Sequence, residues 1–274
     1  MKDFTRHIIN NLSKKALSLV YKADALRLEK EIESEHLLLL NVGSGNWNCP
    51  GWKCLDYPSQ WYSEAQRGCP IIPYDIRKDV LPYENDSVDA IYCSHVVEHI
   101  EDKYIQRFFN EAYRVLKKGG ALRVCCPDAE FLYNVAKSGK EDYWNWRRNW
   151  YTSKYWKDDI AIRPVDYLIR EIATPKLKGY INSICDNDYT LEFNQLQMGD
   201  FLELMKKDLS FRQDFVGDHI NYWTYNKMRN MLERAGFTYV IKSKYRGSLS
   251  KYMQNPGYFD TTHPQMSLYV ETIK

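Results

Sequence analysis

The sequence predicts an α/β protein whose sheet is mainly parallel and carries helices on both faces. Three observations lead there. Short apolar runs alternate along the chain with segments of helical spacing. The first run, "HLLLLNV", is continuous rather than alternating, as a strand buried on both faces requires. It ends in a glycine turn, "NVGSGN", and an acidic residue, Asp56, closes the following run.

Taken in order, residues 1–36 read as a helix. Leu19, Val20, Ala23, Leu26, Leu28 and Ile32 fall roughly on one side, and charges fall on the other. Packing on the core is favoured over a membrane-surface position. "HLLLLNV" is the first strand, "WKCLDY" the second, and "CPIIPYDI" a third whose two prolines suit a sheet edge. A turn at Asn85-Asp86-Ser87 leads into the fourth strand, "VDAIYCS". "EDKYIQRFFNEAYRVLKKGG" is the clearest helix: Tyr104, Ile105, Phe108, Phe109, Ala112, Val115 and Leu116 recur at helical spacing. Lys117 and Lys118 suit its C-terminal dipole, and Gly119 stops it. "ALRVCCPD" is a fifth strand. After an irregular stretch, "TYNKMRNMLERAGF" is a helix capped by Thr224 and ended by Gly236. Strands "FTYVIKSKY" and "MSLYVETIK" close the chain.

Bulk properties exclude several classes. A net charge of +2 is too balanced to imply a nucleic-acid partner on its own. No apolar run approaches the length of a membrane span, and the N-terminus lacks a signal peptide's apolar stretch and cleavage site. Seven cysteines, two of them adjacent, argue against a secreted disulfide framework and for a reducing cytoplasm. Cys49, Cys54 and Cys69 have neither a CxxC pair nor a supporting histidine, so no zinc site is expected among them.

The glycine turn is the most informative feature. Gly43 and Gly45 allow a sharp bend and close approach of backbone amides to a ligand. A diphosphate would also call for the N-terminus of a following helix. Pro50 and Gly51 interrupt the crossover almost at once, leaving room for about one helical turn. Asp56 follows Gly45 by eleven positions, where a dinucleotide crossover places its acid about twenty on, and Asn48 stands where the third glycine would be. A ligand without a phosphate pair fits better, with Asp56 accepting both hydroxyls of a ribose.

On these residues the chain resembles the class I S-adenosylmethionine-dependent methyltransferases, closest to a subgroup with GSG, PGW, a strand-end acid and HVVEH. "LPY" after Asp75, "NDSVDAIYCSHVVEHI", "EAYRVLKKGGALRVCCPD", "DHINYWTYNKMRNMLERAGF" and "SLYVETIK" are similar to later family motifs in the same order. The resemblance implies a Rossmann-like fold, a mainly parallel seven-stranded sheet with an antiparallel last strand. The resemblance covers residues 38–128 and 218–274, the cofactor-binding core; an N-terminal helical extension at 1–37 and an insertion at 129–217, read as a substrate-binding lid, lie outside it. Asn41, Gly43, Gly45, Asp56, Asp75 and Ser94 are the expected cofactor residues, Asp75 near the adenine.

Methyl transfer from a sulfonium needs near-attack geometry and exclusion of water more than a covalent nucleophile. A hydroxyl acceptor gains from a base. His95, at the end of the fourth strand where the family places the transferred methyl, is the first candidate, its alternative being a histidine bonded into the sheet edge. Asp128 follows the fifth strand, where it could bind acceptor hydroxyls, cap the next segment or help hold an ion. His219 could approach from the other side. Glu98 and His99 more often orient a helix start. A metal held by Asp128 with His95 or His219 lacks any ligand spacing, so none is predicted.

Within the insertion, "EDYWNWRRNWYTSKYWKDD" sets Trp144, Trp146, Trp150 and Trp156 among tyrosines and cations. A helical subdomain core explains it as well as a lid in which Trp144 stacks on a sugar or base while Arg147 and Arg148 hold an anion. The expected acceptor is a sugar, a sugar nucleotide or a small anionic metabolite, methylated on oxygen; the resemblance extends to short methyltransferases of bacterial surface-polysaccharide pathways. The alternatives are an RNA methyltransferase, for which the chain is weakly basic, and a non-catalytic cofactor-binding partner subunit. A homo-oligomer is compatible with the sequence.

Overall fold

The computed structural model describes residues 2–59, 63, 64, 66–68, 70–148, 163–177 and 188–274, with side chains from residue 11 onward. Seven strands form one sheet: β1 (Leu39–Val42), β2 (Trp52–Asp56), β3 (Ile71–Pro73), β4 (Val88–Ser94), β5 (Leu116–Pro127), β6 (Tyr239–Lys242) and β7 (Ser267–Ile273). Their spatial order is β3-β2-β1-β4-β5-β7-β6. Every neighbouring pair is parallel except those of β7, which runs antiparallel to both β5 and β6. The proline-bearing β3 is at the edge, as its missing N–H groups demand. The order reverses between β1 and β4, which opens a crevice at the carboxyl ends of these strands.

One face is covered by helices α2 (Asp102–Val115) and α7 (Tyr225–Arg234). Ile105, Phe108, Phe109, Ala112 and Val115 of α2 are all buried against Val88, Ile91, Leu122 and Val124 of the sheet. Thr224 caps α7 by accepting the Lys227 N–H at 3.2 Å, and Gly236 ends it at φ +112°. Helix α2 stops two residues short of the lysines that were to complement its dipole. Leu116 is already extended and begins β5, and Lys117 pairs with Asp89 at 2.8 Å. The fifth strand is correspondingly longer than "ALRVCCPD", running through both glycines with a register irregularity opposite Val88–Ala90.

The other face is covered by the C-terminal part of α1 (Lys2–Ser34), the β1–β2 connection and residues near 253–259. Helix α1 spans about 50 Å at 1.5 Å per residue. The predicted apolar side is corrected. Ala25, Leu28 and Ile32, spaced by three and four, are the buried stripe, while Ala23 and Leu26 are exposed and Leu19 and Val20 are 69% and 61% exposed. Gly51 lets the β1–β2 connection lie against this stripe, since a Cβ there would be 2.8 Å from Ile32 Cδ1. That connection contains turns and no helix, so α1 supplies the layer that a crossover helix would occupy.

Between β5 and α7 the chain builds helices α3 (Ala129–Lys137), α4 (Pro164–Ile172), α5 (Thr190–Gln195) and α6 (Met198–Lys206). They enclose a second apolar cluster that includes Leu132, Trp144, Leu168, Ile169, Phe193 and Phe201. Among the described residues no helix is long and apolar enough to cross a membrane.

Residues 243–266 leave the sheet between β6 and β7 and return to it. A fully buried ion cluster holds this excursion. Arg123 on β5 donates to both carboxylate oxygens of Asp260 at 3.0 and 2.7 Å and to Glu271 on β7 at 3.1 Å. It also donates to the Lys244 carbonyl at 2.9 Å. Breaking such a cluster on one side leaves uncompensated charge in the interior. Arg123→Met is expected to lower stability by about 3–5 kcal/mol in urea unfolding, because Asp260 and Glu271 are left unpaired. A loss below about 1 kcal/mol would show that the cluster does not hold the excursion.

Candidate active site

A cavity of about 470 Å³ lies at the carboxyl edge of β1, β2 and β4, where the strand order reverses. Asn41, Gly43, Gly45, Asp56, Asp75 and Ser94, the six expected cofactor residues, all line it. Trp47, Arg77, Phe211, Tyr258, Thr261 and Thr262 line it too, and these the sequence did not single out. A 24-residue connection between two adjacent antiparallel strands is far longer than a hairpin needs, and that length was the available signal for the last three.

The glycine turn is held by two different constraints. Gly43, at φ +74°, packs so closely under Val96 that a Cβ would lie 2.1 Å from Val96 Cγ2. Gly45, at φ +57°, has nothing within 4 Å of an added Cβ. The Gly45 N–H donates to Asp56 Oδ2 at 2.5 Å, and the Tyr57 N–H donates to Oδ1 at 2.6 Å. Asp56 thus ties the first turn to the end of β2. Burial raises its pKa despite these hydrogen bonds.

Asp75 lines the cavity and organises its wall. Its two oxygens hold the Arg77 guanidinium at 2.9 and 2.8 Å, and Arg77 lies 3.7 Å from the centre of the Phe211 ring. The acid therefore shapes the wall through Arg77, and Phe211 brings the end of the insertion into the cavity. Trp47 donates its indole N–H to the Tyr258 carbonyl at 2.6 Å and packs edge-on against Phe259. This contact joins the glycine connection to the excursion that Arg123 secures.

His95 lines the cavity just beyond β4 in a left-handed backbone conformation, φ +55°. Strain of this kind in a non-glycine residue persists only where its surroundings enforce it. The ring is fixed from both sides: Nδ1 is 3.0 Å from Glu98 Oε1, and Nε2 is 3.0 Å from Ser267 Oγ. A buried carboxylate at one ring nitrogen and an exchangeable hydroxyl at the other is an arrangement suited to a general base.

The other catalytic candidates are placed elsewhere. Asp128 is not among the cavity's lining residues; it caps α3 by accepting the Phe131 N–H at 3.1 Å and pairs with Lys242 at 3.1 Å. Capping, one of its three expected roles, accounts for its carboxylate. His219 is buried behind the wall, its ring 4.8 Å from that of His99. Its pKa is pulled well below the ordinary value by burial and then by His99.

The predicted acceptor-binding side chains are corrected. Trp144 is 1% exposed and stacks on Tyr167 at 5.1 Å within the insertion's core. Arg147 is equally buried and is paired with Glu171. Arg148 is exposed and is not among the lining residues. A Trp and an Arg four or fewer residues apart serve an apolar helical core as readily as a ligand face, and here burial decides for the core. Trp150 and Trp156 lie outside the described residues. Of the three cysteines considered for zinc, Cys49 and Cys54 are buried free thiols, burial pushing Cys49 up to about 12, and Cys69 lies outside the described residues.

The strand order and the lone antiparallel β7 define a Rossmann-like methyltransferase fold. Residues 54–124 match the family described as the methyltransferase domain. The matched segment is a methyltransferase domain, and S-adenosylmethionine is the methyl donor that such a domain implies. No curated protein matches it by sequence. Among solved structures it is similar to an S-adenosylmethionine-dependent methyltransferase from Mesorhizobium loti, at 15% identity over 87% of this chain and 91% of that one, with a TM-score of 0.43. Another, from Thermotoga maritima and described as a possible histamine N-methyltransferase, is 14% identical over the whole of both chains, with a TM-score of 0.40. A third, from Archaeoglobus fulgidus, is 10% identical over 91% and 94%, with a TM-score of 0.42.

The two glycines make a prediction that separates strain from packing. An alanine in the left-handed region costs about 1 kcal/mol at either position. Gly43→Ala adds the displacement of Val96, about 1–3 kcal/mol more. Denaturant unfolding should rank Gly43→Ala as clearly the less stable variant; equal losses would remove the role assigned to Val96.

Proposed function

We propose that the enzyme methylates a hydroxyl oxygen of a sugar or sugar nucleotide, with His95 as the base. The observation that carries this reading is the position of His95: it lines the donor cavity, backed by Glu98 and facing the hydroxyl of Ser267. An acceptor hydroxyl replacing that of Ser267 would give its proton to Nε2. Its oxygen then attacks the methyl carbon, and the carbon–sulfur bond breaks with the electron pair returning to sulfur. Glu98 stabilises the imidazolium as it forms.

Asp56 binds the ribose hydroxyls of the donor, and the wall around Arg77 and Phe211 receives its base. Thr261, Thr262 and Tyr258 offer hydroxyls on the remaining side, a lining better suited to a polyol than to an apolar acceptor. Arg147, expected to hold an anion, is paired with Glu171, and Arg77 with Asp75. The insertion, residues 129–217, contributes Phe211 and Val216 to the cavity and is the acceptor-side cover in this reading. A surface-polysaccharide pathway in the cytoplasm agrees with such an acceptor, and the five described cysteines are free thiols, as a reducing compartment keeps them.

Calorimetric titration with S-adenosylhomocysteine tests the donor site. Asp56→Ala should weaken binding more than tenfold, since two charge-assisted hydrogen bonds of about 1.5–3 kcal/mol each are removed; an unchanged affinity would show that the acid does not grip the ribose. The base is tested separately, with labelled donor and a panel of sugar nucleotides. His95→Gln should lower kcat by about 10²–10⁴ and leave S-adenosylhomocysteine affinity within about threefold. Full turnover in that variant would assign the proton to another group.

A further inference from the structure

The wall behind His95 contains a group of side chains that the proposed reaction leaves partly unexplained. The 3-10 turn Val97–His99 and the segment before α7 are joined backbone to backbone: the Glu98 carbonyl accepts from Ile220 N at 2.8 Å and from Asn221 N at 3.1 Å. This pairing sets His219 beside His99. His99 Nδ1 lies 2.9 Å from the Asp218 carbonyl, and His219 Nδ1 lies 2.7 Å from the Glu171 carbonyl. A carbonyl only accepts, so each Nδ1 carries the proton and each Nε2 keeps a free lone pair. Orienting a ring through its second nitrogen in this way is the usual support for a metal-binding histidine.

Glu98 supplies the second, independent observation. Its carboxylate is 1% exposed, and neither oxygen accepts an aligned hydrogen bond from the described residues. His95 Nδ1 sits near Oε1, yet a buried carboxylate with so few donors is costly unless a cation completes it. One ligand atom from each of Glu98, His99 and His219 lies within 4.8 Å of the others.

We propose that Glu98, His99 and His219 bind one divalent transition-metal cation, of the zinc or manganese class, whose open coordination position faces the donor cavity and takes the acceptor oxygen. Two imidazoles and one carboxylate are a donor set that such ions accept with room for a further ligand. Bonds of about 2.0–2.2 Å allow ligand atoms around one ion to be at most about 4.3 Å apart, so the cluster closes by about half an ångström on binding. His99 lines the cavity, and His95 stands on the same turn, so a coordinated hydroxyl would lie within reach of the base. Such an ion would acidify a coordinated hydroxyl; His95 takes the proton, the oxygen takes the methyl group, and the electron pair of the broken carbon–sulfur bond returns to sulfur. Arg170, the nearby like charge, is offset by its 2.9 Å pairing with Glu171.

This inference rests on the methyl-transfer reading of the cavity, and the test separates the two. Protein stripped with a chelator is titrated with Zn²⁺ by calorimetry and with Co²⁺ by visible absorption, and in parallel with S-adenosylhomocysteine. The wild type should bind one equivalent of metal. His219→Ala and Glu98→Gln, neither of which alters a lining residue, should weaken metal binding at least roughly tenfold and hold S-adenosylhomocysteine affinity within about threefold. Folded wild type that takes up no stoichiometric metal, or variants that bind it as well as wild type does, would overturn the metal site and leave the donor site standing. Failure of the wild type to bind S-adenosylhomocysteine at all would strike the methyl-transfer reading instead.

Discussion

The buried Arg123 guanidinium is the constraint on which the rest of the molecule depends. It lies between two strands that come together only late in the sequence order and ties them to a loop that belongs to neither. Every one of its charged partners is as deeply buried as it is, with 0% side-chain exposure on each side of both pairs. In such surroundings the cluster is worth little as net stability compared with apolar packing, but it tolerates few alternative geometries. Asp260 is thereby fixed in its left-handed turn, and the backbone of residues 258–262 with it. Tyr258, Thr261 and Thr262 of that segment line the cavity, so the shape of a binding site is set by a charge cluster that is not itself part of the lining.

Within the cavity, the acids are already occupied. Asp56 accepts hydrogen bonds from the glycine turn, and Asp75 grips Arg77. A donor nucleoside entering here meets a wall that is preorganised rather than one that collapses around it, which limits the ordering cost of binding. The same holds at His95, whose unusual backbone angle is stabilised by contacts at both ring nitrogens before any acceptor arrives. These arrangements put the cost of organisation into folding.

Strand ends were the most legible part of the sequence. Continuous apolar runs ending in Gly, Asp or Ser located the carboxyl edge where Gly43, Asp56 and Ser94 now meet, because a parallel strand buried on both faces has no other pattern available. Boundaries decided by competition were less legible. Leu116 continues the helical spacing of α2 and equally well begins β5, and the pairing of Lys117 with Asp89 across the sheet, invisible in one dimension, settles it. For α1, Leu19 and Leu26 look as apolar as Leu28, and the approach of Gly51 and of residues near 253–259 selects the buried stripe. Trp144 and Arg147 were read in two ways because aromatic and cationic residues are equally at home in a helical core and on a ligand face. The cluster of Glu98, His99 and His219 joins residues about 120 positions apart, so no local spacing could have announced it.

The position of β7 has a consequence for how the chain reaches this state. The seven-residue strand β7 is an interior one, flanked by β5 and β6, and α1, made before any of the seven strands, covers the same sheet face as residues near 253–259. A ribosome therefore delivers the strand that closes the sheet after the other six. Until then β5 has an open hydrogen-bonding edge, β6 has no partner, and one apolar face lacks half its cover. Vectorial synthesis gives this topology little head start: cooperative closure waits for β7, in the manner of folds dominated by distant pairings.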